Sequence, residues 1–136
     1  MSDPDCLFCK VLNHEIPAHF LWEEDDTAAF MDINPWTRGH ALVIPRNHST
    51  DLLEISAADL TATALGAQRL AQMQKERLGC DGVNLLNSCG AAGWQTVFHF
   101  HIHSIPRYQG DPLQLPTRPQ QAEQDELAEV AAQLRG

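Results

Sequence analysis

From Gln95 to Arg107 the chain reads Gln-Thr-Val-Phe-His-Phe-His-Ile-His-Ser-Ile-Pro-Arg, with histidine at 99, 101 and 103. A period of two is the period of a β-strand, so His99, His101 and His103 are expected on one face and Phe98, Phe100 and Ile102 on the other. The apolar set requires a core, which leaves the imidazoles lining a cleft. Three titratable rings on one face of one strand point to chemistry rather than packing.

Such a strand needs neighbours, and the preceding chain supplies them. Phe20 to Glu23 reads as a strand, Glu24-Asp25-Asp26 as a polar turn and Thr27 to Asp32 as the antiparallel return. Asn34-Pro35 marks a turn, and Gly39 to Pro45 is an apolar strand stopped by proline. Ser56 is a suitable N-cap with Asp59 three residues on, so Ala57 to Leu78 is expected to be helical and Gly79 to close it. Leu60, Ala64, Ala67, Leu70 and Met73 would form its sheet-facing stripe. Val83 to Asn87 follows as a strand, and Ser88 to Gly93 as a loop of small residues. Lys10 to Asn13 allows one or two helical turns near the N-terminus. Beyond Arg107 the chain is broken by Pro112, Pro116 and Pro119, then Glu123 to Leu134 places Leu127, Val130, Ala131 and Leu134 on one helical face. No repeat or boundary divides residues 1–136, so one domain is expected, with a Pro-rich segment and a helix after Arg107. The fold class is α+β: a five-stranded, mainly antiparallel sheet with one long helix, a short N-terminal helix and a C-terminal helix.

Composition narrows the function. The 136 residues carry a net charge of −9, and Lys10 and Lys75 are the only lysines. That argues against binding a nucleic-acid backbone, which needs a basic face. A small anionic ligand needs only local positive groups. No apolar run reaches the length of a membrane span, and Met-Ser-Asp-Pro-Asp has neither the basic nor the apolar region of a signal peptide. The expected location is cytoplasmic, where four cysteines serve as thiols or metal ligands rather than as a disulfide framework. Cys6 and Cys9 form a C-x-x-C that offers zinc two tetrahedral ligands, and His48 and His99 are candidates for the other two. A pair of near-surface thiols is the alternative. Cys80 and Cys89 read as ordinary small core residues.

Several blocks now stand in a fixed order: Cys6-x-x-Cys9-Lys10, Glu15-Ile16-Pro17, Phe30-Met31-Asp32-Ile33-Asn34-Pro35, Gly39-His40-Ala41-Leu42-Val43-Ile44-Pro45, His48 and Gln95-Thr96-Val97-x-His99-x-His101-x-His103. Together they resemble the histidine-triad (HIT) family of nucleotide-binding proteins, over most of the chain from Cys6 to Arg107. The resemblance implies a homodimer meeting through long helices and strand edges, a purine nucleotide in each cleft, and hydrolysis or transfer at its α-phosphate. It implies His101 as the nucleophile, His103 as a phosphate ligand, His99 as the residue whose carbonyl orients His101, and His40 as a fourth active-site histidine. Asn87, Gln95 and Thr96 match positions near the phosphate and leaving group, Asp32 the carboxylate that accepts the ribose hydroxyls, and Phe8, Ile16 and Ile33 positions near the base. Some bacterial members carry a structural zinc on the positions of Cys6, Cys9, His48 and His99.

The chemistry agrees with these roles. A neutral imidazole is nucleophilic through nitrogen near pH 7 and leaves phosphorus readily, so a nucleotidyl-histidine intermediate splits displacement into two easier steps. The expected activity is that of a nucleoside phosphoramidase. A dinucleoside polyphosphate hydrolase, a nucleotide-binding dimer with little turnover, and a metalloenzyme with all three histidines on one ion are the competing expectations. Two positions depart from the family pattern: Trp94 stands where glycine is usual, and Ser104 where an aliphatic residue is usual.

Overall fold

The computed structural model describes residues 2–115 and 117–136; Pro116, part of the Pro-rich segment, lies outside the described residues. In chain order the elements are α1 (Leu7–Leu12), β1 (Phe20–Glu23), β2 (Thr27–Met31), β3 (Ala41–Pro45), α2 (Ala57–Leu78), β4 (Gly82–Leu86), a 3-10 turn (Ala91–Gly93), β5 (Ile102–Arg107) and α3 (Gln124–Arg135). The five strands form one sheet in the order β1-β2-β3-β5-β4, with every neighbouring pair antiparallel. This is the expected α+β architecture.

β3 is buried along its whole length, which explains its unbroken apolar run: the central strand is covered on both faces. On one face α1 packs Phe8, Cys9, Val11 and Leu12 against Ala28, Phe30, Leu42 and Ile44. On the other, Leu70 of α2 joins Trp22, Ala29, Ala41 and Val43. The alternation of Ala28 and Phe30 against Ala29 along β2 is the strand period at work. Ser56 accepts from the Asp59 N–H at 3.1 Å to start α2, and Gly79 ends it in the left-handed conformation at φ 66°.

The stripe that α2 turns inward is Thr63, Gly66, Ala67, Leu70 and Gln74; Ala64 is exposed. Close approach selects these small residues. A Cβ on Gly66 would lie 2.8 Å from Val43 Cγ1. Thr63 satisfies its buried hydroxyl on the Asp59 carbonyl one turn back, at 2.7 Å.

The histidine-bearing segment is a strand only from Ile102 onward. Its ladder pairs Ala41 with Ser104 and Val43 with Ile102, so the next partner of Phe100 would be Pro45. Proline has no N–H to give, and the ladder stops there. The Phe100 N–H donates to the Ser49 carbonyl instead, at 2.7 Å. Phe100 and Ile102 do pack toward Ala67 of α2, whereas Phe98, expected in the core, is 47% exposed. The C-terminal helix forms as expected but buries none of its residues, so Leu127, Val130 and Leu134 are uncovered.

Candidate functional site

β3 and β5 place the central pair. His103 stands opposite Leu42, on the α1 face of the sheet, and His40 immediately precedes β3. His40 Nε2 lies 2.9 Å from His103 Nδ1. Hydrogen bonding assigns the protons. The Trp36 backbone N–H donates to His40 Nδ1 at 3.0 Å, so a neutral His40 carries its proton on Nε2 and donates it to His103 Nδ1. His103 then keeps its own proton on Nε2, as a donor. An Asp32 carboxylate oxygen lies 3.5 Å from His40 Nε2 and 3.7 Å from His103 Nδ1.

His101 is set the opposite way. Its Nδ1–H donates to the His99 carbonyl at 2.7 Å, which leaves the Nε2 lone pair free. Asn87 Nδ2 donates to the His101 carbonyl at 2.9 Å and so steadies the backbone at His101. Among the described residues, the Asn87 Oδ1 is buried without a hydrogen-bond partner. Phe8 meets the His101 ring edge-to-face at 5.1 Å.

Burial keeps this cluster neutral. It lowers the pKa of His40 and His101, and it pushes His103 down to about 4 with help from the neighbouring His101 and His40. The unfolded chain binds a proton at His103 below about pH 6.5, whereas the folded chain binds it only near 4. Acid therefore favours unfolding across that window, at about 1.4 kcal/mol per pH unit for one proton. The stability of wild type to urea should fall from pH 6.5 down to about 4, and His103→Asn should make that slope shallower.

A cleft runs from this cluster between α1 and the loop after β2. Phe8, Ile16, Asp32, Ile33, Thr96, His101 and His103 line it, together with Leu7, Val11 and Val97. Seven of the expected residues thus meet in one place. Asp32 also forms the turn: its Oδ1 accepts from the Asn34 N–H at 2.8 Å. Gln95 is engaged elsewhere. Both amide hydrogens go to carbonyls, of Thr50 at 2.8 Å and Val97 at 3.1 Å, and its oxygen accepts from Gly90 at 2.8 Å. It holds the loop before the triad rather than offering a free donor.

Behind the cleft, Cys6, Cys9, His48 and His99 bring four ligand atoms within 4.8 Å of one another. Cys6 Sγ is 3.5 Å from His99 Nδ1, and Cys9 Sγ is 3.6 Å from both His48 Nδ1 and His99 Nδ1. Ordinary Zn–S and Zn–N lengths at a tetrahedral angle put sulfur and nitrogen about 3.5 Å apart, so the set fits zinc. The His99 Nε2–H donates to the Pro45 carbonyl at 2.8 Å, which turns the unprotonated Nδ1 toward the thiols. The three histidines do not converge on a single ion, because His99 faces the cysteines while His103 faces His40.

Two supports escaped the sequence reading. Gln74, on the inner face of α2, donates to the carbonyls of Gly39 and Ser104 at 3.0 Å each and accepts from the Ser104 hydroxyl at 2.6 Å. It ties together the residues adjoining His40 and His103 from across the sheet. A glutamine in an inward helical stripe was the available signal. The other support is Trp36, whose backbone sets the His40 tautomer.

A strand that presents paired imidazoles to an α1-walled cleft is the arrangement of a histidine-triad protein. The HIT domain family model matches residues 13–110, and the chain belongs to that family. It superposes on SMU.412c from Streptococcus mutans with a TM-score of 0.92 at 31% identity, covering 98% of this chain and 85% of that one. A zinc-bound histidine triad family protein from Mycobacterium smegmatis is 38% identical, with a TM-score of 0.78 and 96% of each chain covered. An Arabidopsis thaliana protein named adenylylsulfatase HINT3 is 38% identical over 109 residues, 80% of this chain and 55% of that protein. Among the described residues, no helix is long and apolar enough to cross a membrane.

Proposed function

We propose that the protein is a nucleotide hydrolase that acts at the α-phosphate of purine nucleotides, of the nucleoside phosphoramidase type. The observation that carries this reading is the opposed setting of two neighbouring imidazoles: His101 with a free Nε2 lone pair, and His103 with an N–H. The His101 Nε2 lone pair bonds to the α-phosphorus as the bond to the leaving atom breaks. That atom keeps the bonding pair and takes a proton from solvent. Water then displaces the nucleotide from His101, gives up a proton and restores the lone pair. The His103 N–H and the Thr96 hydroxyl supply donors where charge develops on the phosphoryl oxygens.

Asp32 retains acceptor capacity for ribose hydroxyls, and Phe8, Ile16 and Ile33 form the apolar wall for a base. The name of the Arabidopsis relative supports an enzyme rather than a passive binder. Cys6, Cys9, His48 and His99 would hold a structural zinc, and the zinc-bound relative supports that assignment. The uncovered Leu65 on α2 and Leu85 on the edge strand β4 support pairing of two copies through these elements.

Hydrolysis of adenosine 5′-phosphoramidate beside diadenosine tetraphosphate tests the reading. Faster turnover of the phosphoramidate is expected. Preference for the tetraphosphate selects the alternative hydrolase, and mononucleotide binding without turnover of either overturns the enzyme.

A further inference from the structure

We infer that Trp36 forms a subsite for an aromatic leaving group, a reading that rests on the proposed displacement at His101. Four rings run in a row past the reacting centre. Phe8 lies 5.1 Å from His101, His101 lies 5.0 Å from His103, and His103 lies 6.2 Å from Trp36, measured between centroids. Phe8 belongs to the apolar wall of the cleft, so Trp36 stands at the opposite end of the row, beyond the phosphate-facing histidine. Its indole is parallel to the His103 ring within 11° and meets His40 at 5.6 Å.

The indole is 48% exposed. Its loop, however, is tied down on three sides. Asp32 Oδ1 accepts from the Asn34 N–H, the Trp36 N–H donates to His40, and the Thr37 hydroxyl donates to the Pro106 carbonyl at 2.6 Å. A large aromatic surface, half open to solvent on a fixed loop, is prepared to stack a planar group at little ordering cost. A group departing from the α-phosphorus on the His103 side meets that surface, and a planar aromatic amine or a second base fits it.

The test compares two adenosine phosphoramidates whose amines have near-equal basicity, 2-phenylethylamine and butylamine, on wild type, Trp36→Ala and Trp36→Phe. The readout is the ratio of their kcat/KM values. Wild type should favour the aromatic amide, and Trp36→Ala should lower the ratio by roughly five- to a hundredfold, the range for stacking on one ring. Trp36→Phe should keep most of it. If Trp36→Ala does not fold, Trp36→Leu serves the same purpose, since it keeps apolar bulk without a π face. Loss of rate by one common factor on both substrates, with the ratio unchanged, overturns the subsite and leaves the hydrolase standing. Absence of turnover on both by wild type overturns the hydrolase, and the subsite with it.

Discussion

His101→Ala should lower phosphoramidate turnover by roughly four to six orders of magnitude, the scale on which loss of a covalent nucleophile is felt. His101 is the one triad imidazole whose Nε2 is left as a free lone pair by a bond at the other nitrogen, to the His99 carbonyl. His103 offers its lone pair to His40, and His99 turns its own toward the cysteines. No neighbour is placed to substitute. The nucleotide should still bind, because on the proposed reading Phe8, Ile16, Asp32 and Ile33, which line the cleft, would hold it without His101. Nucleotide affinity by calorimetry separates loss of chemistry from loss of fold, and acid quenching of wild type with labelled substrate should trap nucleotide on the protein. Undiminished turnover by the alanine variant would sink the covalent route.

The second large effect concerns the ligand cluster. Cys6→Ser with Cys9→Ser should reduce bound zinc from one per chain to none and cost more than about 4 kcal/mol of stability, as loss of a metal site does. Burial pushes the Cys6 thiol up, so an ion there displaces a proton, and its affinity falls in acid. Cys6 caps the N-terminus of α1 and Cys9 lies within it, a helix of six residues held otherwise by Phe8, Val11 and Leu12. The ion would fasten that helix to His99, whose carbonyl accepts from His101 Nδ1, so on the proposed mechanism turnover should fall as well. Metal analysis and urea unfolding with and without a chelator read the effect. A midpoint indifferent to chelator, in protein that carries no zinc, would leave the four residues as a packed thiol–imidazole cluster.

The parts of the fold legible in the sequence were those decided locally. The bounds of α2 follow from an N-cap serine and a left-handed glycine, and β3 is apolar throughout because both faces are covered. Alternation correctly placed Phe100 and Ile102 toward α2 but overran the strand. The ladder ends at Pro45, some fifty residues earlier, and only the register reveals that they would be partners. Ala64 was misplaced for a similar reason: which narrow stripe of α2 can touch the sheet depends on Val43. Motif spacing singled out Cys6 and Cys9 of the cluster that the fold gathers with His48 and His99, whereas the loop duty of Gln95 depends on carbonyls at Thr50 and Val97 that no pattern announces.

Gln74 and Ser104 bear on how this sequence can change over generations. Each satisfies the other in a buried position, and Gln74 also carries the carbonyls beside His40 and His103. Exchange of either one for an aliphatic residue strands a polar group without water, at about 1–3 kcal/mol. Exchange of both removes the side-chain demand and leaves only the Gly39 and Ser104 carbonyls without the Gln74 amide. The two positions are therefore expected to drift as a unit, and descendants that lose one partner should be rare on any path between the polar and apolar versions.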